Sequence, residues 1–184
     1  MEVKGTFFWD SAMCIRHRKY GLKTIADSID NQMEHVFRDG HDIQLHIHPV
    51  WFKSEFKNKE WKFNNDYYRL HSFFDEIPNV EEIFELTKNY IEDVIRPLHS
   101  DYHCRAFRAG GFCIQPEQQI LDIMERYNLS IDSSVCKKLV TKTSSHYYDY
   151  SNTPSKCNWF FSEESGVCKE DEKGKLFEVP VGSV

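Results

Sequence analysis

The sequence predicts an α/β fold in which helices cover a parallel sheet. Three segments carry apolar residues at helical spacing, and short strand candidates lie before, between and after them. Strands and helices that alternate in this way form right-handed crossovers, which join the parallel strands of a barrel or of an open sheet. A chain of 184 residues has room for one ordinary domain, so we expect residues 1–184 to form a single domain.

Composition and charge exclude several classes of protein. Hydrophobic residues make up 40% of the chain and charged residues 28%, which is typical of a folded domain and excludes wholesale disorder. A net charge of -6, with basic residues scattered along the chain, argues against a nucleic-acid partner. No apolar stretch approaches the roughly 18 residues that cross a bilayer, and the first residues do not resemble a secretory signal, so we expect no membrane association.

Without a membrane span or a secretory signal, we expect a cytoplasmic chain whose cysteines are reduced. They lie far apart and include no C-x-x-C pair, so they give no support to a zinc-finger or thioredoxin-like motif. In a cytosolic chain of this size we expect reduced thiols. The six are Cys14, Cys104, Cys113, Cys136, Cys157 and Cys168.

The first predicted elements are a strand and a long helix. Residues 3–9 form a β-branched and aromatic run of strand type. Nothing ahead of this run supplies a start or a partner strand, so we expect the chain to open inside a fold. Apolar residues then follow a 3.6-residue period over residues 22–37, and the pattern stops before Gly40, a residue suited to the end of a helix.

Two further helices are predicted downstream. The second covers residues 80–98, with Asn79 as N-cap and Glu82 in the capping-box position. The third begins at Pro116, which suits a first helical turn, and runs to Tyr127.

Short strand candidates and two long irregular stretches complete the chain. The irregular stretches cover residues 51–78 and 137–174, and loops of that length in a compact domain are usually functional or partly disordered. The strand candidates cover residues 43–48, 104–107, 130–132 and 176–179.

The strand over residues 43–48 carries the most informative candidate for chemistry. Apolar and polar residues alternate strictly along it, and His46 and His48 fall on the polar face. Strand side chains repeat every two residues, so both imidazoles lie on the same side with Cβ atoms about 7 Å apart. The pair precedes Pro49 at the carboxyl end of the strand, where α/β barrels build their active sites. This pattern suits two ligands of one metal, and the alternative is an edge strand with two solvated histidines.

Three more polar residues lie at strand ends. Arg108, before a glycine pair, places a cation at the same rim or is a surface residue of a turn. Asp132 neutralises or orients Arg108, or caps the following turn. Glu178 is a conceivable ligand or base, but an outward-facing side chain is the favoured interpretation. The other histidines, His146 among them, share no spacing, so we expect surface or helix-face positions for them.

Four blocks in a fixed order resemble a known family. They are residues 6–8 (TFF), 40–49 (GHDIQLHIHP), 108–112 (RAGGF) and 132–134 (DSS). Together they look like the polysaccharide deacetylases of carbohydrate esterase family 4. The single blocks are weak, but the ordered set is fairly specific.

The resemblance implies a distorted (β/α) barrel that hydrolyses carbon-nitrogen bonds other than peptide bonds and removes acetyl groups from a carbohydrate. It also implies a divalent metal, usually zinc, held by one aspartate and two histidines. By that likeness His46 and His48 are metal ligands, Arg108 holds or tunes the catalytic carboxylate, and Asp132 supports Arg108. The family's first strand and last element have no counterpart here, so the barrel is expected to be incomplete.

Two departures affect the metal site that the resemblance implies. The family spaces its histidine ligands four apart, whereas position 50 here is Val and the pair reads H-x-H. The family's aspartate pair precedes the strand that matches residues 6–8 and has no counterpart in this chain. Asp10, at the end of that strand, is therefore the carboxylate expected to serve as the third ligand.

Two rival functions remain open from the sequence. One is a catalytically inactive sugar-binding or interaction domain on the same scaffold, with loop aromatic residues stacking on sugar rings. The other is a metal-dependent amidohydrolase for a small non-sugar substrate. An exposed sheet edge would also allow pairing into a homo-oligomer.

Overall fold

The computed structural model describes residues 3–182, which fold around a six-stranded sheet. The helices are α1 (Ser11–Lys19), α2 (Lys23–Arg38), α3 (Val80–Ile95) and α4 (Gln118–Arg126). The strands are β1 (Thr6–Asp10), β2 (Asp42–Ile47), β3 (Glu55–Lys57), β4 (Glu60–Lys62), β5 (Ala106–Ala109), β6 (Ile131–Asp132), β7 (Val140–Lys142), β8 (Tyr147–Asp149), β9 (Trp159–Phe161) and β10 (Leu176–Glu178).

The central sheet is mainly parallel, as the alternation of strands and helices predicts. Its strand order is β1-β2-β5-β6-β10-β9, with parallel pairing from β1 through β10 and antiparallel pairing between β10 and β9. Strands β3 and β4 form a separate antiparallel hairpin, and so do β7 and β8. The fold is therefore a mixed α/β arrangement in which β1 and β9 are the edges of the sheet within residues 3–182.

The apolar face of β2 anchors the core. Ile43, Leu45 and Ile47 are fully buried, and helices α2 and α3 pack against the strand that carries them. Burial of one such side chain stabilises the fold by about 1.5–3 kcal/mol relative to leaving it exposed. This packing holds the opposite face of β2, with its polar residues, in a fixed orientation.

The three predicted helices are confirmed as α2, α3 and α4: α2 is shifted by one residue, α3 ends three residues earlier than expected, and α4 is shorter at both ends. At the start of α3 the Asn79 side chain accepts a hydrogen bond from the Glu82 amide, and the Glu82 carboxylate accepts one from the Asn79 amide. Gly40 has a φ of 80°, a left-handed conformation that glycine adopts without strain.

The structure adds elements that the sequence patterns did not predict. Helix α1 follows β1 directly, and its first turn carries no acidic residue. The irregular stretches contain the two hairpins and β9, each strand of which has only three residues. Strands this short leave too little alternation to be recognised. Within residues 3–182, no helix is both long enough and apolar enough to span a bilayer.

Candidate functional site

Three candidate side chains meet where β1, β2 and β5 end. Asp10 of β1 is in register with His46 of β2, and His46 is in register with Arg108 of β5. Neighbouring strands lie about 4.8 Å apart and residues in register point to the same face, so the three side chains form a row across the polar face. His48 extends the row just beyond β2.

The two imidazoles pack against each other in a fixed orientation. The ring centroids of His46 and His48 lie 4.4 Å apart and the ring planes are inclined by 81°. His46 Nδ1 donates to the carbonyl oxygen of Arg108 at 2.8 Å, and His48 Nδ1 pairs with Oδ2 of Asp10 at 2.9 Å. Because both oxygens are acceptors, each Nδ1 carries a hydrogen, and a ring that is neutral in this arrangement has its lone pair on Nε2.

Burial keeps His46 neutral. Its pKa falls from the usual 6.5 to about 4, first because burial disfavours the imidazolium and second because His48 lies so close. His46 is therefore unprotonated at neutral pH, which is the state in which an imidazole binds a metal.

Asp10 is partly committed to His48. The side chain of Asp10 is 16% exposed, and its Oδ2 accepts a hydrogen bond from His48 Nδ1. Its Oδ1 is buried and has no hydrogen-bond partner in the part of the chain that the structure describes. A buried carboxylate oxygen without a partner is costly, so this atom is suited to receive a cation or a donor.

The donor set fits a divalent metal by its chemistry. Two imidazole nitrogens and a carboxylate oxygen are ligands that zinc prefers, and a histidine held through Nδ1 by a carboxylate is a common arrangement around zinc. Across residues 3–182, however, no group of three or more His, Cys, Asp or Glu side chains is already arranged to hold a metal ion. The residue types therefore suit a metal, but they are not yet arranged around one point, because the Asp10 carboxylate is hydrogen-bonded to His48.

Arg108 lies on the same face and is held by Ser133. Its guanidinium stacks over the ring of Phe8, 4.0 Å from the centroid, while Nε donates to the Ser133 carbonyl and Nη2 to the Ser133 hydroxyl. Burial lowers the pKa of Arg108, and the charges of Asp132 and Glu178 oppose this shift.

The direct contact expected between Asp132 and Arg108 is absent among the described residues. The Asp132 carboxylate instead accepts hydrogen bonds from the amide and the hydroxyl of Ser134. The reason is the alternation of side chains along a strand, since Ser133 and Asp132 point to opposite faces. Asp132 caps the turn that follows β6 and acts on Arg108 only through its charge.

Arg108 also lines a cavity of about 680 Å³ on the polar face of the sheet. Gln44 of β2 and Phe8 of β1 contribute to its walls. The volume is in the range of sites that hold small ligands. Asp10, His46 and His48 do not line this cavity, and walls such as Thr6 and Asp42 belong to the amino ends of β1 and β2, so the cavity lies apart from the two imidazoles.

Two residues take positions that the sequence patterns did not predict. Glu178, expected to face outward, is fully buried beside Asp132 on the neighbouring strand. His146, expected on a surface, is only half-exposed, and its ring centroid lies 4.3 Å from that of Tyr68. Tyr68 in turn lies 6.4 Å from His48, so the two long irregular stretches meet beside the candidate site.

Comparison with known proteins gives no further guide to function. No family model, curated protein or solved structure matches this chain. The geometry of the site and the resemblance of the four sequence blocks are therefore the grounds for a function.

Proposed function

We propose that the chain is a metal-dependent hydrolase that removes acetyl groups from a carbohydrate, built on a distorted (β/α) barrel of the polysaccharide deacetylase type. The observation that carries the proposal is the pairing of His46 with His48 beside Asp10, with both Nε2 atoms left available. The position of these residues at the carboxyl ends of parallel strands supports it, because α/β folds bind their ligands there.

His46 and His48 would hold the metal, which we propose to be zinc, through Nε2. Asp10 would become the third ligand only after it releases Nδ1 of His48, because a carboxylate bound at Nδ1 cannot reach a metal on Nε2 of the same ring. Once bound, a divalent ion polarises the acetyl carbonyl and lowers the pKa of a coordinated water. The protein's own contribution is to fix the ligands: the Arg108 carbonyl orients the His46 ring and the Asp10 carboxylate orients the His48 ring. Rings held in this way lose little freedom when they bind.

Arg108 supplies the positive charge of the site. Ser133 fixes two of its N–H groups, and Phe8 supports the plane of the guanidinium. The remaining N–H groups are placed to hold a catalytic carboxylate or to stabilise negative charge that develops on the substrate. Asp132 favours the charged form of Arg108 from the opposite face of the sheet. The reaction adds water across the carbon-nitrogen bond and yields an amine and acetate.

A second candidate is a sugar-binding domain without catalytic activity. A cluster of Trp51, Trp61 and Phe63 favours it, because Trp51 follows His48 by three residues and its ring lies within 5.1 Å of the other two ring centroids. Phe63 is 45% exposed, so one aromatic face is open to a ligand. Aromatic faces of this kind suit the apolar side of a sugar.

The proposal also covers location and association. We propose a cytoplasmic protein that acts on carbohydrate and not on nucleic acid. The free edge of β1, where Phe7 is 43% exposed, offers a surface through which two copies could pair.

Metal titration followed by an acetate assay tests the proposed function. Zinc and cobalt would be titrated into the wild type, His46→Ala, His48→Ala and the control His35→Ala, whose side chain is exposed on α2. We expect a loss of affinity of at least about tenfold in the two site variants and no change in the control. The zinc-loaded wild type should then release acetate from a trimer of N-acetylglucosamine.

The outcomes separate the two candidate functions. Equal metal binding by the wild type and both site variants would contradict the metal site. Metal binding without acetate release would favour the sugar-binding domain.

A further inference from the structure

Four side chains from the two long irregular stretches form a ledge beside His48. Tyr68 packs against His146, and Arg69 lies over the ring of Tyr147 with 5.9 Å between the guanidinium carbon and the ring centroid. Two consecutive residues of one stretch therefore contact two consecutive residues of the other. We call Tyr68, Arg69, His146 and Tyr147 the loop ledge.

The loop ledge is continuous with the candidate site through Gly110 and Gly111. A Cβ atom at Gly110 would lie 2.7 Å from His48 Cδ2, and one at Gly111 would lie 2.9 Å from His146 Nε2 and 3.0 Å from Tyr68. Consecutive Cα atoms are about 3.8 Å apart, so His48 and His146 border two adjacent backbone positions. The absence of side chains on this segment lets the rings of His48, His146 and Tyr68 pack closely over its backbone, so the candidate site and the loop ledge adjoin the same stretch of chain.

His146 presents a nitrogen that can bind a ligand. Its Nδ1 pairs with the hydroxyl of Ser145 at 3.0 Å. Nε2 faces Gly111 and takes no hydrogen bond from another residue in the range 3–182. An imidazole nitrogen in this position donates to or accepts from a hydroxyl group.

The ledge also carries aromatic surface. Tyr147 is 42% exposed, and Tyr68 and His146 are half-exposed. Aromatic faces next to planar polar groups match a pyranose ring, which has an apolar face and a rim of hydroxyl groups. Arg69 adds a guanidinium whose N–H groups suit ring and hydroxyl oxygens. The chemistry of the ledge therefore favours a sugar over a lipid or a small apolar ligand.

We infer that the loop ledge is a sugar-binding subsite, which holds the pyranose ring next to the one that reacts at His46 and His48. The inference rests on the proposed function for the identity of that neighbouring ring. The subsite itself requires only that the loop ledge binds a sugar, whether or not the chain is a hydrolase. Sugar binding and acetate release can therefore be measured apart from each other.

The binding test uses metal-free protein, so that no turnover interferes. A trimer of N-acetylglucosamine would be titrated in the presence of chelator while NMR follows the histidine and tyrosine ring signals. We expect the signals of His146 and Tyr68 to shift in the wild type. The dissociation constant should rise about fivefold to tenfold in His146→Ala and in Tyr68→Leu, as expected when one hydrogen bond or one aromatic contact is lost.

Matched variants guard against an effect on folding. Tyr68→Phe keeps the ring and should keep most of the affinity, whereas His35→Ala removes an exposed histidine far along the chain and should bind as the wild type does. Thermal unfolding of each variant shows whether the fold is retained. If Tyr68→Leu unfolds, the affinity for the trimer is compared in His146→Ala and Tyr147→Leu instead.

An activity test with two substrates completes the experiment. Zinc-loaded enzyme would be assayed with the trimer and with 4-nitrophenyl acetate, which has no sugar ring. Loss of the ledge should raise KM for the trimer about fivefold to tenfold and leave the sugar-free ester unchanged. If the wild type fails to bind the trimer, or if the ledge variants bind it as tightly as the wild type, the subsite is overturned. If the wild type binds the trimer through the ledge and releases no acetate, the hydrolase proposal fails and the subsite stands.

Discussion

Glu178 and Asp132 are register partners on adjacent parallel strands, and both carboxyl groups are fully buried. The backbone amide of Val135 approaches Glu178 Oε1 at 3.4 Å, and Glu178 Oε2 has no hydrogen-bond partner in the part of the chain described here. Burial raises the pKa of Glu178 well above its usual value, and the nearby charge of Asp132 raises it further. Burial also raises the pKa of Asp132. Glu178 is therefore the member of the pair that keeps its proton.

This pair should destabilise the fold as pH rises. A carboxyl whose pKa is raised on folding stabilises the native state fully below its unfolded value, near 4.5 for Glu178, and loses that contribution as pH rises through the folded value. Glu178→Gln replaces the protonated carboxyl with a neutral group of the same shape. We expect the variant to exceed the wild type in free energy of unfolding by about 1 kcal/mol or more at pH 9, with a smaller difference at pH 5. Urea unfolding at the two pH values measures this.

A surface substitution provides the control for the carboxyl pair. Glu164 is exposed, so Glu164→Gln should shift the unfolding curve equally at both pH values. The same dependence on pH for Glu178→Gln and Glu164→Gln would contradict the conclusion that Glu178 keeps its proton in the folded chain.

His46 should give the opposite dependence on pH. Its pKa falls from 6.5 to about 4 on folding, so the unfolded chain binds a proton that the native state rejects in that interval. Stability is then full above about 6.5 and is lost as pH falls toward 4. His46→Asn keeps a donor near the Arg108 carbonyl and cannot be protonated. The decrease in the free energy of unfolding between pH 7.0 and 4.5 should therefore be about 2 kcal/mol smaller in this variant than in the wild type. Urea unfolding at pH 7.0 and 4.5 tests this, and an unchanged loss would show that other groups cause it.

Gly110 should tolerate no side chain. A Cβ atom there would lie 2.6 Å from the Ile47 carbonyl oxygen and 2.7 Å from His48, and the first of these is backbone that cannot rotate away. We expect Gly110→Ala to lower the free energy of unfolding by about 1–3 kcal/mol and to weaken zinc binding. Gly182→Ala is the control, since apart from its chain neighbours no described residue has an atom within 4 Å of the added Cβ. Chemical unfolding and zinc titration measure the stability and the metal affinity of Gly110→Ala and Gly182→Ala. Equal values for the two variants would refute the steric argument.

The fold was predictable where a single element carried its own pattern. Helices α2, α3 and α4 have apolar stripes with caps or stop signals, and β2 alternates strictly, so each was recognisable from its own residues. Helix α1 was not, because its nine residues mix buried polar side chains such as Arg16 and His17 with few apolar ones. The spacing of apolar residues identifies a helix or strand only when these residues form one clearly apolar face.

The site was predictable where its members lie at the carboxyl ends of predicted strands, as Asp10, His46 and Arg108 do. The spacing of His46 and His48 places both rings on one face, and the structure brings these rings together. The contact between Tyr68 and His146 joins two irregular stretches, and no local pattern records a tertiary contact of that kind. Glu178 was likewise missed, because an isolated glutamate on a short strand gives no sign that its carboxyl will be buried beside Asp132.

Arg108 offers a final test of how the polar face is assembled. Its Nε and Nη2 groups donate to two oxygens of Ser133 at 2.8 and 2.7 Å, and its plane covers Phe8. A lysine at this position keeps the charge but has neither the planar fork nor the stacked surface. We expect Arg108→Lys to lower the free energy of unfolding by about 1–2 kcal/mol and to reduce acetate release more than zinc affinity. Ser133→Ala removes the hydroxyl that accepts from Arg108 Nη2 and donates to the Val179 carbonyl, but it keeps the Ser133 carbonyl that accepts from Arg108 Nε, so we expect a loss of about 1–2 kcal/mol here as well. Urea unfolding and zinc titration of both variants check the argument, and a fully stable Arg108→Lys would mean that charge alone, and not the fork, holds this face together.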